Sequence, residues 1–337
     1  MWLTGTTLKR FSGLFSACLL LWAVTTCAAA AEESPRTGPP RFEVPVADAK
    51  APLTFVVYGD TRFTTRARVA NSYARRALVD KIAAENPAAI LIGGDLVYQG
   101  SDPQDYAIYE GETAEWARRK IPVFPALGNH EFRGCDVSDD DSVCLQNWWR
   151  TFGALHLRPY RWYSVSIGPE ILALVLDSDG GLQPGSAQRD WFEHEITAAD
   201  PRFRFILVIL HYPPVRDPIF PHAADEVKVA RYLSRHAGTL SARVVVIGSH
   251  VHNYERHSRD GVVYLVSGGG GAKPVPELRL FGGELARLRT AINFHYIRFT
   301  LVNDRLTGTM VRFEASDRPA NPWSEPDGFE VRARQAP

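Results

Sequence analysis

Six polar side chains stand just past the ends of short apolar runs: Asp60, Asp95, Asn129, Asp177, His211 and His250, in TFVVYGD, AAILIGGD, IPVFPALGN, ILALVLDSD, FRFILVILH and ARVVVIGSH. Carboxylate oxygens and imidazole nitrogens together suit iron, zinc or manganese. Six groups are too many for one tetrahedral zinc and about right for two ions. Cations ~3.5–4 Å apart repel, so a two-ion centre needs a shared anion. Asp95 is a candidate for that bridge. Water held between two such ions loses its proton near neutral pH and becomes a nucleophile. His250 and His252 alternate along what reads as an extended segment, which points both rings to one face.

The positioning elements follow from the same runs. Each run, together with VVYLVSGGG and HYIRFTLV, is short, β-rich and bounded by turn residues, and so reads as a strand. Ala70, Ala74, Leu78 and Ile82 recur every fourth residue, a helix pattern stopped at Asn86-Pro87. Two more helices are expected over Trp191–Ile196 and Asp225–His236. Near-continuous apolar strands imply sheets covered on both faces, and alternation of strand and helix gives an α/β layered domain. Strand ends converge on one rim of a sheet, so the six polar groups can meet in space.

The 337-residue chain is 45% hydrophobic, with 38 basic and 38 acidic side chains. Lacking a basic excess, it gives no reason to expect nucleic acid or an anionic membrane as partner. Residues 1–31 read as a secretory signal: Lys9 and Arg10, an apolar stretch, then AAAA. An uncleaved anchor or a lipid-anchored Cys27 are the alternatives; export to the periplasm or outside the cell is the expectation. Residues 32–50 form a proline-rich lead-in, 51–315 a single domain and 316–337 a tail. Cleavage leaves two of the four cysteines, Cys135 and Cys144, expected to pair in an oxidising compartment. The triplet Asp139–Asp141 between them lacks the ligand alternation of a calcium loop and reads as a solvated acidic loop.

The ordered set GD, GGDLVY, GNHE, LH and HVH, covering Asp60 to His252, resembles the calcineurin-like metallophosphoesterase superfamily. Its first motif there is Asp-x-His; Arg62 stands in the histidine's place. The tyrosine three positions after Asp95, Tyr98, and the segment SHVHNYER resemble the purple acid phosphatase branch, with Ser249 for glycine. The resemblance implies an α/β/β/α sandwich with its metal site at the carboxyl ends of the strands. It places one ion on Asp60, Asp95, Tyr98 and His252, a hard anionic set suited to Fe(III). A divalent Zn, Fe or Mn would lie on Asp95, Asn129, His211 and His250.

On that likeness the chain is a secreted metallophosphatase of small phosphate monoesters. Phosphodiester or nucleotide hydrolysis at the same centre is one alternative, and a metal- or ligand-binding protein without catalysis is another. His130 is the expected acid for the leaving group, with His222 as an outer histidine. Asn129 and Arg62 would contact substrate phosphate. For Arg62, a salt bridge to a nearby carboxylate is equally open. Asp177 reads as a turn or supporting residue, and Gly268–Gly271 as a turn after a strand.

Overall fold

The computed structural model describes residues 38–46, 51–199, 201–216, 224–275, 278–281, 284–287, 294–315 and 321–334. The expected signal segment and His222 lie outside them. In chain order the elements are β1 (Arg41–Val44), β2 (Leu53–Tyr58), α1 (Ser72–Glu85), β3 (Ile90–Ile92), α2 (Pro103–Glu112), α3 (Ala114–Arg118), β4 (Val123–Pro125) and α4 (Val143–Thr151). There follow β5 (Tyr163–Ile167), β6 (Ile171–Val175), α5 (Ala187–Thr197), β7 (Phe205–Ile209), α6 (Ala224–His236), β8 (Arg243–Gly248), β9 (Tyr254–Arg259) and β10 (Val262–Ser267). The last are β11 (Leu278–Phe281), β12 (Glu284–Arg287), β13 (Phe294–Val302), β14 (Arg305–Phe313) and β15 (Trp323–Arg332).

Two sheets carry the fold, ordered β1-β5-β6-β7-β8-β10-β9 and β15-β14-β13-β2-β3-β4, beside a β11–β12 hairpin. Every residue of β6 and β7 is buried, because each face of that sheet has its own cover. Ala173, Val175, Leu207, Ile209, Val245 and Ile247 share one core with the second sheet. Their alternates, Leu174, Ile206, Val208 and Val246, pack on Phe192 and Ile196 of α5 and on Val229 and Leu233 of α6. On the far side α1 lays Leu78 and Ile82 against β13 and β14. The layers are helix, sheet, sheet, helix, as expected. Across β2 and β13 the registered pair Phe55 and Phe299 stack at 5.1 Å between ring centroids, a contact worth about 0.5–1.5 kcal/mol beyond burial.

All eight expected strands form, and α1 stops where expected, though Ala70 of its pattern lies before the helix. The Asn71 side chain accepts from the Ala74 amide at 3.0 Å, and Asn86 closes the helix in the left-handed conformation, φ 49°. Differences lie at the edges. Residues 41–44, within the expected lead-in, form β1 alongside β5. Residues 323–332, beyond the expected domain end at 315, form β15 on β14. That strand bears on the SHVHNYER segment: Asp327 of β15 accepts from Tyr254 Oη at 2.6 Å and from both forks of Arg256, at 2.7 and 2.9 Å.

Cys135 and Cys144 are bonded, with 6.2 Å between their Cα atoms. The bridge ties the loop after His130 to the start of α4. The acidic residues within it face arginines: Asp141 pairs with Arg158 at 2.8 Å and Asp140 pairs with Arg161. Cys135→Ser is expected to lower unfolding free energy by about 2–3 kcal/mol, the chain-entropy value for a loop this short. Urea denaturation of the variant against the oxidised protein, with free thiols titrated in both, measures this.

Candidate metal centre

Parallel pairing brings the site together. β2, β3 and β4 run parallel in one sheet and β6, β7 and β8 in the other, so their carboxyl ends form one rim. Asp60 follows β2, Asp95 follows β3, Asn129 follows β4, His211 follows β7 and His250 follows β8. The turns that aim these side chains inward are strained. Asp60, Arg62, Asp95 and His250 have φ of 56°, 45°, 53° and 66°, a left-handed conformation that disfavours a Cβ by roughly 1–2 kcal/mol each. Two glycines permit the approach. A Cβ on Gly128 would lie 2.6 Å from Asp95 Oδ1, and one on Gly268 2.5 Å from Asp60 Oδ2. Gly268, expected as a plain turn, thus backs a site carboxylate.

Asp60, Asp95 and His211 offer ligand atoms within 4.8 Å of one another, all buried. Around His211 the donor atoms crowd. Its Nε2 lies 3.2 Å from Asp95 Oδ1, 3.0 Å from Asn129 Oδ1 and 3.2 Å from His250 Nδ1, which is itself 3.2 Å from the same Asn129 oxygen. His211 Nδ1 donates to the Gly93 carbonyl at 3.0 Å, so in the neutral ring Nε2 carries a lone pair. Lone pairs facing oxygens across 3 Å are unfavourable unless a cation lies among them. His252 repeats the arrangement: Nδ1 donates to the Lys273 carbonyl at 2.8 Å and Nε2 points at Asp60 Oδ1, 3.5 Å away. Fixing one nitrogen to a carbonyl sets the tautomer of a metal-ligating histidine. Burial holds the imidazoles neutral, lowering His211, taking His250 to about 3 and His252 to about 4.

The carboxylates differ. Burial works against charge on Asp95, but the histidines beside it whenever they carry a proton, the Arg62 guanidinium and the His130 amide outweigh it and hold the group below the usual carboxylate range. Burial and the neighbouring Asp95 push Asp60 well above that range, against the pull of Arg62. Both oxygens of Asp60 are buried without a hydrogen-bond partner. A buried carboxylate left so is costly, and a cation on Asp60 removes the cost. The donor set therefore fits metal.

His250 and His252 reach the site by another route than expected. Residues 250–253 are a bend, not an extended strand, and the two rings serve different sides, His250 with His211 and His252 with Asp60. Tyr98 is half-buried. Its ring lies against His130, 5.2 Å between centroids, with the guanidinium groups of Arg66 and Arg133 at 5.0 and 4.2 Å from the ring centre. His130 Nδ1 donates to the Tyr98 carbonyl, leaving Nε2 directed inward, 3.8 Å from Asp95 Oδ2. Asp177 closes its own turn by accepting from the Asp179 amide at 2.9 Å, and lies 3.5 Å from Arg161. Arg62 Nη2 lies 3.3 Å from Asp95 Oδ2.

Two supporting residues escaped the sequence reading. Ser178 accepts at Oγ from the amides of His211 and Tyr212, at 3.1 and 3.0 Å. Glu131 is fully buried and accepts from three backbone amides: Asp95 at 2.9 Å, Gly128 at 2.8 Å and Val97 at 3.2 Å. It joins the loop after β3 to the loop after β4. Its place in GNHE, one residue past His130, was the available signal.

Fold and site together define an α/β/β/α sandwich with a candidate metal centre at the carboxyl ends of its strands. The chain belongs to the calcineurin-like phosphoesterase family, whose model matches residues 53–254. Functionally curated proteins give no match. Among solved structures, a purple acid phosphatase from yellow lupin (Lupinus luteus) seeds aligns with TM-score 0.63 at 14% identity, over 84% of this chain and 54% of that one. This chain thus spans about half the lupin protein's length. A dimetal phosphatase from Danio rerio aligns with TM-score 0.56 at 15% identity, covering 84% and 99%. GAP50, an anchor in the inner membrane complex of Plasmodium, aligns with TM-score 0.53 at 14% identity, covering 85% and 90%. At such identity these likenesses describe the fold. No helix among the described residues is long and apolar enough to cross a membrane.

Glu131→Ala would strip an acceptor from three buried amides, at about 1–3 kcal/mol apiece. The expected loss of unfolding free energy is about 3 kcal/mol or more, with Glu131→Gln less affected because it keeps an acceptor oxygen. Denaturant titration of both variants checks the order.

Proposed function

We propose that the protein is an exported metallophosphatase that hydrolyses small phosphate monoesters. The observation carrying this reading is the Asp60 carboxylate, buried with both oxygens unpaired beside a cluster of neutral imidazoles and an amide oxygen. Asp95, Asn129, His211 and His250 would hold a divalent ion such as Zn, Fe or Mn, since their donors are mostly neutral nitrogen and oxygen. Asp60 and His252 bound an adjoining position across Asp95, where the family likeness adds Tyr98 and Fe(III). Metal held there would supply Lewis acidity at the phosphoryl oxygens and an activated water.

The chain's own groups do the rest. Asn129 and Arg62 stand where phosphoryl oxygens would be oriented, Arg62 with 15% of its side chain exposed. His130, its ring fixed by the Tyr98 carbonyl, presents Nε2 to the site. In its protonated form the ring would hand the Nε2 proton to the leaving alkoxide. Export is supported by the basic, apolar and small-residue leader and by the disulfide.

Asp95→Asn is expected to remove most bound metal and activity together, because a neutral amide no longer offsets adjacent cations. Elemental analysis beside a phosphatase assay checks this, and near-normal turnover with full metal would refute the shared-carboxylate role. His130→Ala is expected to keep its metal and lose roughly 10²-fold in turnover on alkyl phosphates. The loss should be much smaller on a nitrophenyl ester, whose leaving group needs no proton. Equal losses on both substrates would mean that His130 positions rather than protonates.

A further inference from the structure

Asp95 divides its oxygens. Oδ1 accepts from the His130 amide at 2.9 Å and lies 3.2 Å from His211 Nε2; it belongs to the Asn129–His211–His250 side. Oδ2 faces the other way, toward Arg62 Nη2 at 3.3 Å. His130 Nε2 stands 3.8 Å from the same oxygen, and Arg62 is close enough to act by charge on Asp60 and His252 as well, the two residues with which a second ion would share Asp95. A guanidinium is already there.

Arg62 is built to be there. Its amide donates to the Asp95 carbonyl at 3.0 Å, and its own carbonyl accepts from Arg75 Nη1 at 2.9 Å. Arg75 is anchored by a fork on Glu112, at 2.7 and 2.8 Å. The Arg62 backbone is therefore pinned in its left-handed turn. Its side chain is directed inward although it is not satisfied there, with one long contact to Asp95 and a buried Nε that has no partner. A guanidinium in a structural salt bridge forks onto its carboxylate; this one does not.

We infer that the Arg62 guanidinium is the resident cation of the Asp60-side position, so that the centre holds one metal ion tightly and admits a second only by displacing Arg62. The inference rests on the reading that this site binds metal. Charge supports it. Asp60 and Asp95 carry two negative charges; one divalent ion and Arg62 carry three positive, leaving one for a phosphate dianion. A second ion beside a guanidinium that cannot lose its proton meets like-charge repulsion. At an effective dielectric near 20 and a few ångströms' separation, the penalty is roughly 10²-fold or more in affinity.

The test is equilibrium dialysis of metal-free protein against Zn2+, with bound metal counted by mass spectrometry. The native chain is expected to bind one equivalent, and a second only at concentrations roughly 10²-fold higher. Arg62→His, which puts an imidazole at this position, is expected to bind two equivalents over a narrow range. Arg62→Met, which removes the charge without adding a ligand, should strengthen the second equivalent by a smaller factor and stands in if the histidine variant does not fold. Two equivalents of matched affinity in the native chain would overturn the role of Arg62 while leaving the metal site intact. No bound Zn2+ at all would overturn the metal reading itself.

Discussion

Two carboxylates buried side by side are the constraint that the rest of this structure serves. Asp60 and Asp95 have no exposure, and neither a protein interior nor each other's company favours their charge. Every nearby feature lowers that cost or withholds other remedies. Asp95 is given a backbone amide, two histidines and a guanidinium, and stays ionised. Asp60 is given almost nothing, since the glycine behind it admits the carboxylate without offering it a donor. An unfilled demand in the middle of a well-packed rim selects for a cation, and the neutral imidazoles around it exclude most other solutions.

Holding such a demand open requires stiffness outside the site. The loops after β3 and β4 are joined by few site contacts, chiefly the His130 amide on Asp95. Glu131 supplies the connection from beneath, satisfying amides on both loops at once. Ser178 does the same for His211 from the far sheet. The strained turns at Asp60, Arg62, Asp95 and His250 persist because these braces and the two cores over-determine them. Preorganisation is thus assembled from backbone amides, which cannot be titrated away, and the strained turns at the rim carry the side chains that meet in the site.

What the sequence made legible follows this division. Strands buried on both faces, such as ILALV and FILVI, announce themselves by uninterrupted apolar composition, and the polar residues at their ends mark the rim. The polar edge strands β9 and β15 do not. β9 (YERHSR) and β15 (WSEPDGFEVR) have at most one covered face, and β15 contains proline and glycine tolerated only at an edge. Each pairs with a strand next to it in sequence, β9 with β10 and β15 with β14, while the contact that joins the two, Asp327 with Arg256, links residues far apart in sequence. The short α4 and Pro-initiated α2 were equally hidden, although Asp102 caps the latter from a recognisable position. The residues expected at the rim do lie together, because their placement depends on strand ends. The bend at residues 250–253 was missed because period-two alternation looks the same in the sequence whether or not the chain is extended.

Arg62 and Arg75 show why a residue type at a motif position carries less information than its partners do. Both are arginines of one neighbourhood, linked by a hydrogen bond, and neither could be assigned from the sequence alone. Arg75 is fully buried, forked on Glu112 and stacked near Phe63; its charge is consumed by structure. Arg62 spends one long contact on Asp95 and keeps the remainder of its charge for whatever enters the site. The difference between a structural and a functional guanidinium is the fraction of its hydrogen-bonding capacity left unmet. Only the three-dimensional partners reveal that fraction.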